Sequence, residues 1–124
     1  MHLTLVHLTD PSSDTHYDGT LLARVVSPGT YTLSDLADDI TRTCSLTRAD
    51  VIGCMEAMTH HIRAALADGR MVSLDGFGRL RVNARSNLCT PAEASRRGFS
   101  PATLVRSYHV TFQADKSLVP TAPP

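Results

Sequence analysis

Two arginines in the stretch Met71–Val82, which reads MVSLDGFGRLRV, have a spacing that suits chemistry with an anion. Two short alternating runs flank a glycine-rich turn, and the second run carries both arginines. Successive side chains of a strand point to opposite faces, so Arg79 and Arg81 share one face while Leu80 and Val82 share the other. Guanidinium groups repeated along one face suit bidentate contacts with phosphate. We therefore predict a strand with one arginine-bearing face and one apolar face.

Other residues that could carry chemistry lack the arrangement that an active site needs. The Gly76-x-Gly78 pair opens a strand instead of a helix and has no third glycine, which excludes a dinucleotide fingerprint. The neighbouring carboxylates Asp38 and Asp39 fall on a helix face that we expect to be solvated. Serine, histidine and aspartate residues are scattered without the spacing of a triad. We expect no enzymatic activity and no small-molecule substrate.

The cysteines and histidines do not indicate a metal site. Cys44, Cys54 and Cys89 are an odd number, widely spaced and without a CxxC pair, which is typical of reduced thiols. His60 and His61 are adjacent, and neighbours on a helix point about 100° apart, so the two rings are poorly placed to share one ion. We predict neither a metal nor a cofactor.

Charge is distributed unevenly although the formal net charge is zero. Residues 1–68 carry four basic and nine acidic side chains, whereas residues 69–124 carry eight basic and three acidic ones. Eleven of the twelve basic residues are arginine. This asymmetry indicates an anionic partner for the second half of the chain. The alternative is that the two halves neutralise each other within a dimer.

The size and hydropathy of the chain predict one small domain. Its 124 residues include 42% apolar residues, enough for a small core that a dimer would bury better. No apolar run is long enough to cross a bilayer, and Met1–Leu8 lacks the basic start and long apolar stretch of a signal peptide. We expect a cytoplasmic protein without a membrane partner.

The first elements predicted along the chain are a β-hairpin and two helices. Alternation from Leu3 to Leu8 and the aliphatic run Leu21–Val26 predict paired strands around a polar loop, Thr9–Thr20. Thr32 with Asp35 predicts a capping box at the start of the first helix. Thr47 with Asp50 predicts the start of the second helix, and Gly69 predicts its end. The predicted apolar face of this helix carries Val51, Met55, Met58, Ile62, Ala65 and Leu66.

The last part of the chain predicts an excursion, a strand and a tail. Periodicity is lost from Asn83 to Thr103, where turn-forming residues collect. Alternation then returns, and three prolines in Pro120–Pro124 predict a disordered end. One face of the final strand is predicted to carry Leu104, Tyr108, Val110 and Phe112, and the other Val105, Ser107, His109 and Thr111.

In this order of elements the chain closely resembles the HU and integration host factor family of bacterial histone-like DNA-binding proteins. The resemblance covers Thr32–Leu118 and is most specific at Val72–Gly78, within the pattern V-x-L-x-G-F-G-x-L-x-V. Thr47–Val51 is similar to the start of the family's second helix. The added strands resemble a variant branch that carries an extension before the helices.

The resemblance implies an α+β fold with two helices, a three-stranded antiparallel sheet with an arm, and an added N-terminal β-hairpin. It further implies an intertwined homodimer that binds double-stranded DNA with low sequence selectivity, as a nucleoid-associated protein. The implied boundaries are 1–30 for the hairpin extension, 31–118 for the HU-like domain and 119–124 for a disordered tail. Arg85 and Lys116 match basic positions of the family, whereas Arg79 and Arg81 are expected to bind DNA from strand alternation alone. The full set of expected DNA-binding residues adds the second-half arginines Arg96, Arg97 and Arg106. The expected dimer-core residues are Met55, Met58, Ile62, Phe77, Leu80 and Phe112.

Two departures from the family pattern keep other functions open. Asn83 replaces a basic residue at the base of the arm, and Pro91 lacks the setting of the proline that wedges between base steps. An HU-fold module for dimerisation or protein binding, without DNA binding, is the second hypothesis. The third takes Leu36–Met58 as a helix-turn-helix, although Arg48 is the only basic residue near the start of its second helix.

Overall fold

A computed structural model describes residues 1–7 and 20–122, which form two compact units, Met1–Ile52 and Gly53–Pro124. Residues 9–19 of the predicted loop Thr9–Thr20 lie outside the described residues. The last two residues of the predicted tail also lie outside them. The proposed domain boundaries at residues 30 and 118 stay a prediction.

The first unit begins with the predicted hairpin. Strands β1 (His2–His7) and β2 (Leu21–Val26) pair antiparallel, with Leu3 opposite Val25 and Leu5 opposite Ala23. No other strand pairs with them in the part of the chain that the structure describes. The hairpin therefore forms a sheet of its own with two strands.

Helix α1 (Leu33–Thr43) starts at the predicted capping box. The backbone amide of Asp35 donates to Thr32 Oγ1 at 3.2 Å, and the amide of Thr32 donates to Asp35 Oδ2 at 3.0 Å. Hydrogen bonds from the Thr32 amide and hydroxyl hold the pKa of the Asp35 carboxyl below its ordinary value. Ala37 of α1 is buried.

Helix α2 (Arg48–Ala67) repeats this start and ends as predicted. The Thr47 amide donates to Asp50 Oδ2 at 3.0 Å, and the Asp50 amide donates to Thr47 Oγ1 at 3.1 Å. At the other end Gly69 adopts φ +78°, and the amides of Gly69 and Arg70 donate to the carbonyls of Leu66 and Ala65. This pattern is a Schellman motif, which satisfies carbonyls that the helix would leave unpaired.

No helix among the described residues combines the length and the apolar character needed to span a membrane. The start of α2 also bears on the helix-turn-helix hypothesis. Arg48 donates to the carboxylate of Asp38 and to the Ser34 side chain, so the one basic residue near that end is held within the first unit.

The second unit contains a three-stranded antiparallel sheet in the order β3 (Val72–Leu74), β4 (Gly78–Ser86) and β5 (Val105–Ala114). Strand β4 runs four residues further than predicted, through Ser86, because β5 supplies a pairing partner that local sequence does not reveal. The prediction that the excursion starts at Asn83 was therefore wrong.

The excursion between β4 and β5 is partly helical. It contains a short helix, α3 (Pro91–Ala94), with Thr90 accepting from the Glu93 amide at the cap. A 3₁₀ turn over Pro101–Leu104 precedes β5, so the prediction that Leu104 lies in the strand was also wrong. The Asn87 amide donates to the Leu104 carbonyl at 2.8 Å and closes the excursion at its base.

A bulge corrects the predicted faces at the start of β5. Arg85 lies opposite Ser107 but Ser86 lies opposite Val105, which leaves Arg106 as the extra residue. Val105 therefore lies on the same side of the sheet as Ala84. Simple alternation along β5 predicts the other side.

Little of the apolar surface is buried in the single chain. Ala37 and Val51 are the only buried apolar residues in the ranges 1–7 and 20–122. Of the expected dimer-core residues, Met55, Ile62 and Leu80 are half-buried, whereas Met58, Phe77 and Phe112 are exposed.

A substitution at Gly78 tests the close contact between the turn and β5. A Cβ at this position would lie 2.5 Å from the carbonyl oxygen of Gln113 and 2.5 Å from Cε2 of Phe112. Gly78→Ala should therefore lower the free energy of unfolding by about 1–3 kcal/mol, a typical cost of overpacking. Denaturant midpoints measured at one fixed protein concentration check this.

The matched control is Gly53→Ala, which adds the same methyl group in α2 where nothing lies within 4 Å. Alanine is the better helix former, so this variant should gain up to about 1 kcal/mol. Equal effects of the two substitutions would contradict the close contact at Gly78.

Candidate nucleic-acid interface

The sheet of the second unit has a polar, basic face. Arg79, Arg81 and Arg85 alternate along β4 with Asn83 between them, and all four lie on one side of the strand. Their partners on β5 carry no carboxylate. Arg79 lies opposite Gln113, Arg81 opposite Thr111, Asn83 opposite His109 and Arg85 opposite Ser107.

Two of these arginines line one shallow depression. Arg79 and Arg81 share it with Asn83, Thr111 and Gln113, while Met71 and Phe112 complete its wall. Asn83 Nδ2 donates to Thr111 Oγ1 at 3.0 Å across the strands. Guanidinium donors beside amide and hydroxyl groups are the set that contacts phosphate and sugar oxygens in nucleic-acid complexes.

Asn83 and its β5 neighbours were missed by the sequence analysis. The comparison with the family marked Asn83 as the loss of a basic residue, and Thr111 and Gln113 were not considered as site residues. Strand alternation beyond Val82 was the available signal, because it places position 83 on the same face as 79 and 81.

Lys116 joins the basic face at the end of β5. It lines a second depression with Arg79, Gln113, Ala114 and Asp115. The Asp115 carboxylate accepts from the Ser117 amide at 2.9 Å and from Ser117 Oγ at 2.8 Å. These hydrogen bonds, with a smaller contribution from the charge of Arg79, hold the pKa of Asp115 below its ordinary value.

The same segment fastens the turn before β4 to the end of β5. The Asp115 amide donates to the Phe77 carbonyl at 2.9 Å, and Ser117 Oγ, which shares its one proton with the closer Asp115 carboxylate, lies 3.2 Å from the Gly76 carbonyl oxygen. Gly76 has φ +78°, a conformation that a residue with a side chain rarely adopts. The position of Arg79 therefore depends on contacts between the turn and the residues after β5, at one end of the sheet.

The other expected DNA-binding residues are exposed but lie outside these two depressions. Arg85 continues the row of Arg79 and Arg81, and Arg106 is the bulged residue across from it. Arg96 and Arg97 follow α3 in the excursion. The structure thus brings together Arg79, Arg81 and Lys116.

The opposite face of the sheet is apolar. Leu80 lies opposite Phe112, and Val82 lies opposite Val110. The ring of Phe112 also packs against Phe77, with 5.3 Å between the centroids. Tyr108 extends this face toward a groove that it lines with Val82 and the last turn of α2.

No ion pair among the described residues neutralises a cation of the basic face. The ion pairs found among the described residues join Arg42 to Asp39 and Arg48 to Asp38, and both lie in the first unit. In that same part of the chain, no group of three or more histidine, cysteine, aspartate or glutamate side chains is placed to hold a metal ion. The face is therefore suited to an anion that comes from outside the chain.

Comparison with protein families agrees with this geometry. A family model described as an HU domain fused to wHTH, Ig or a glycine-rich motif matches residues 3–122. Integration host factor subunit alpha of Actinobacillus succinogenes is 34% identical over 74 residues, which are 60% of this chain and 67% of that protein. DNA-binding protein HU of Thermus thermophilus is 32% identical over 74 residues, 60% of this chain and 68% of that protein.

Among solved structures, a cocrystal of Anabaena HU with DNA has a similar fold. The TM-score is 0.50 at 23% identity, covering 70% of this chain and 91% of the HU chain. The likeness supports the α+β arrangement of helices and antiparallel sheet described above.

Replacing Asp115 tests the hydrogen bonds that hold Lys116 and the turn before β4 in place. The lowered pKa means that the carboxylate stabilises the fold above the ordinary aspartate range, and that this stabilisation is lost as the pH falls through the lowered value. Asp115→Asn should be less stable than the parent protein at pH 7, with the difference narrowing below about pH 4. Unfolding midpoints across a pH series check this.

Asp75→Asn is the matched control, because it removes a carboxylate from the turn between β3 and β4 without touching the Asp115–Ser117 hydrogen bonds. A constant difference between Asp115→Asn and the parent protein across the acid range would contradict the assignment.

Proposed function

Since the chain belongs to the HU and integration host factor family, in the group whose HU domain is fused to wHTH, Ig or glycine-rich motifs, we propose that it is a dimeric architectural DNA-binding protein. The basic face of the sheet contacts the backbone of duplex DNA and its minor groove. Binding has low sequence selectivity, and the protein acts on the nucleoid in the cytoplasm.

The observation that carries this proposal is the row of arginines on β4. Arg79, Arg81 and Arg85 repeat on one side of a strand whose partners on β5 are polar and uncharged or histidine. With Lys116 at one end, the face offers cations that no carboxylate of the described chain neutralises by an ion pair. Each phosphate that these side chains neutralise releases counterions, which favours binding at low salt.

The apolar surface left open by the single chain supports a homodimer. Exposed residues on the apolar side of the sheet include Tyr108, Val110 and Phe112, with the half-buried Leu80 beside them. A second copy would cover this face and supply the core that one chain lacks. The proposed dimer-core residues are Met55, Met58, Ile62, Phe77, Leu80 and Phe112.

The excursion supports contact with the backbone over insertion into the base stack. Pro91 is the first residue of α3, and Thr90 caps that helix, so the proline serves a helix start. Arg96 and Arg97 follow it and are exposed, which makes them accessible to phosphates. Arg85 on β4 and Arg106, the bulged residue of β5, complete the proposed set of DNA contacts.

A protein-interaction module without DNA binding is the second candidate. The zero net charge and the extent of exposed apolar surface favour it. It predicts a dimer whose affinity for duplex DNA is negligible even at low salt, so the two candidates are distinguished by one binding measurement.

Duplex binding across a salt series tests the proposed function. Affinity for a mixed-sequence duplex should fall steeply as salt rises, because the logarithm of the binding constant decreases by about 0.9 per neutralised phosphate for each unit of log salt. Fluorescence anisotropy with two unrelated duplex sequences measures the slope and the selectivity together. Absence of binding at low salt would favour the interaction module.

Joint replacement of Arg79, Arg81 and Arg85 by alanine tests the site. The variant should bind more weakly and lose about 0.9 of salt slope for each contact removed, while its unfolding midpoint stays near that of the parent. The matched control replaces Arg24, Arg42 and Arg63, which removes the same charge from residues that are not part of the three-stranded sheet. Equal losses in the two variants would mean that net charge, and not this face, drives binding.

A further inference from the structure

The hairpin of the first unit has one face without a charged side chain. Pairing in the observed register places Leu3 beside Val25 and Leu5 beside Ala23 on this face. Leu3, Leu5 and Val25 are 53%, 66% and 57% exposed. The single charged residue of the two strands, Arg24, lies opposite Thr4 on the other face. Exposed apolar faces of this kind mark interaction surfaces.

The outer edge of β1 lacks the features that normally prevent edge strands from pairing. Its sequence, HLTLVH, contains no proline, lysine, arginine or carboxylate, and its register with β2 has no bulge. Strand β2 differs, because it carries Arg24 and is followed by Pro28 two residues after its end. A two-stranded sheet is marginally stable in water, so the open edge of β1 is the side on which further strands would add stability.

The central residues of β1 are complementary to themselves when reversed. Leu3-Thr4-Leu5 reads the same in both directions, so an antiparallel copy with Thr4 opposite Thr4 pairs leucine with leucine on either side. Both leucines lie on the uncharged face of the hairpin, and directly opposite residues share a face in an antiparallel sheet. This register therefore extends one continuous apolar face across the two copies.

We propose that β1 pairs antiparallel with β1 of a second copy of the chain, with Thr4 opposite Thr4, to form a four-stranded sheet. The contact is isologous, since one edge meets the same edge. The occupant is a second copy because no charge on β1 selects a different partner, and because the reversed sequence pairs leucine with leucine. The partner is the one named in the proposed function, but the contact does not depend on DNA.

Disulfide formation tests the pairing in the full chain. In a background with Cys44, Cys54 and Cys89 replaced by serine, Thr4→Cys should give a covalent dimer under mild oxidation, because directly opposite residues of antiparallel strands approach closely enough for a disulfide. Arg24→Cys is the matched control, since it places a cysteine on the same face of the hairpin but in β2. Non-reducing electrophoresis reads the covalent dimer, and circular dichroism shows that the variants are folded.

A second pair of substitutions separates edge pairing from stacking of the apolar faces. In the Thr4→Cys protein, Leu5→Lys should abolish the covalent dimer, whereas Val25→Lys, on the same face but in β2, should leave it unchanged. Loss in both variants would overturn edge pairing in favour of stacked faces. The proposal would be overturned if Thr4→Cys and Arg24→Cys formed the covalent dimer equally well, or if neither formed it.

DNA binding measured on the same proteins keeps the two proposals separate. A covalent dimer with no affinity for duplex DNA would contradict the proposed function and support the hairpin contact. DNA binding by a folded Thr4→Cys protein that never cross-links would overturn the hairpin contact and support the proposed function.

Discussion

The close approach of Gly78 to β5 is the constraint on which the basic face depends. A side chain at this position would force its neighbours to move, because its Cβ would meet the Gln113 carbonyl oxygen and the Phe112 ring. The backbones can therefore pair directly at the point where the turn enters β4, with Gly78 opposite Ala114. That pairing fixes the register, and a shift by one residue would exchange the two faces of the strand. Arg79 and Arg81 would then point to the apolar side.

Alternation from this fixed point separates two kinds of chemistry on one sheet. The side with Arg79 and Arg81 is polar and carries positive charge, and the side with Leu80 and Val82 is apolar. The first can attract an anion without burying it, whereas the second gains free energy when another surface removes it from water. One strand thus provides both surfaces that the proposed function needs, and neither requires a deep pocket.

Local signals in the sequence predicted much of the fold. The capping residues Thr32 and Thr47 act on amides three positions away, and Gly69 acts on the carbonyls of the preceding turn, so each signal lies within a few residues of its effect. Alternation within Met71–Val82 likewise predicted the basic face at Arg79 and Arg81.

What the sequence did not predict depends on contacts between distant residues. The extension of β4 to Ser86 and the bulge at Arg106 exist because two strands pair across an excursion of the chain. The hydrogen bond from Asn83 to Thr111 joins residues 28 positions apart, and no local pattern announces it. Arg96 and Arg97 remain proposed DNA contacts. They lie in the excursion between β4 and β5, where strand alternation does not determine which side of the sheet a residue is on.

The hydrogen bond between Asn87 and Leu104 has a consequence for how this protein can vary. It closes the excursion at its base, so the strands on either side are joined without help from the residues between. The entropic cost of a longer closed loop grows only with the logarithm of its length. The segment from 88 to 103 can therefore differ in length and composition among related chains while the arginines of β4 keep their register.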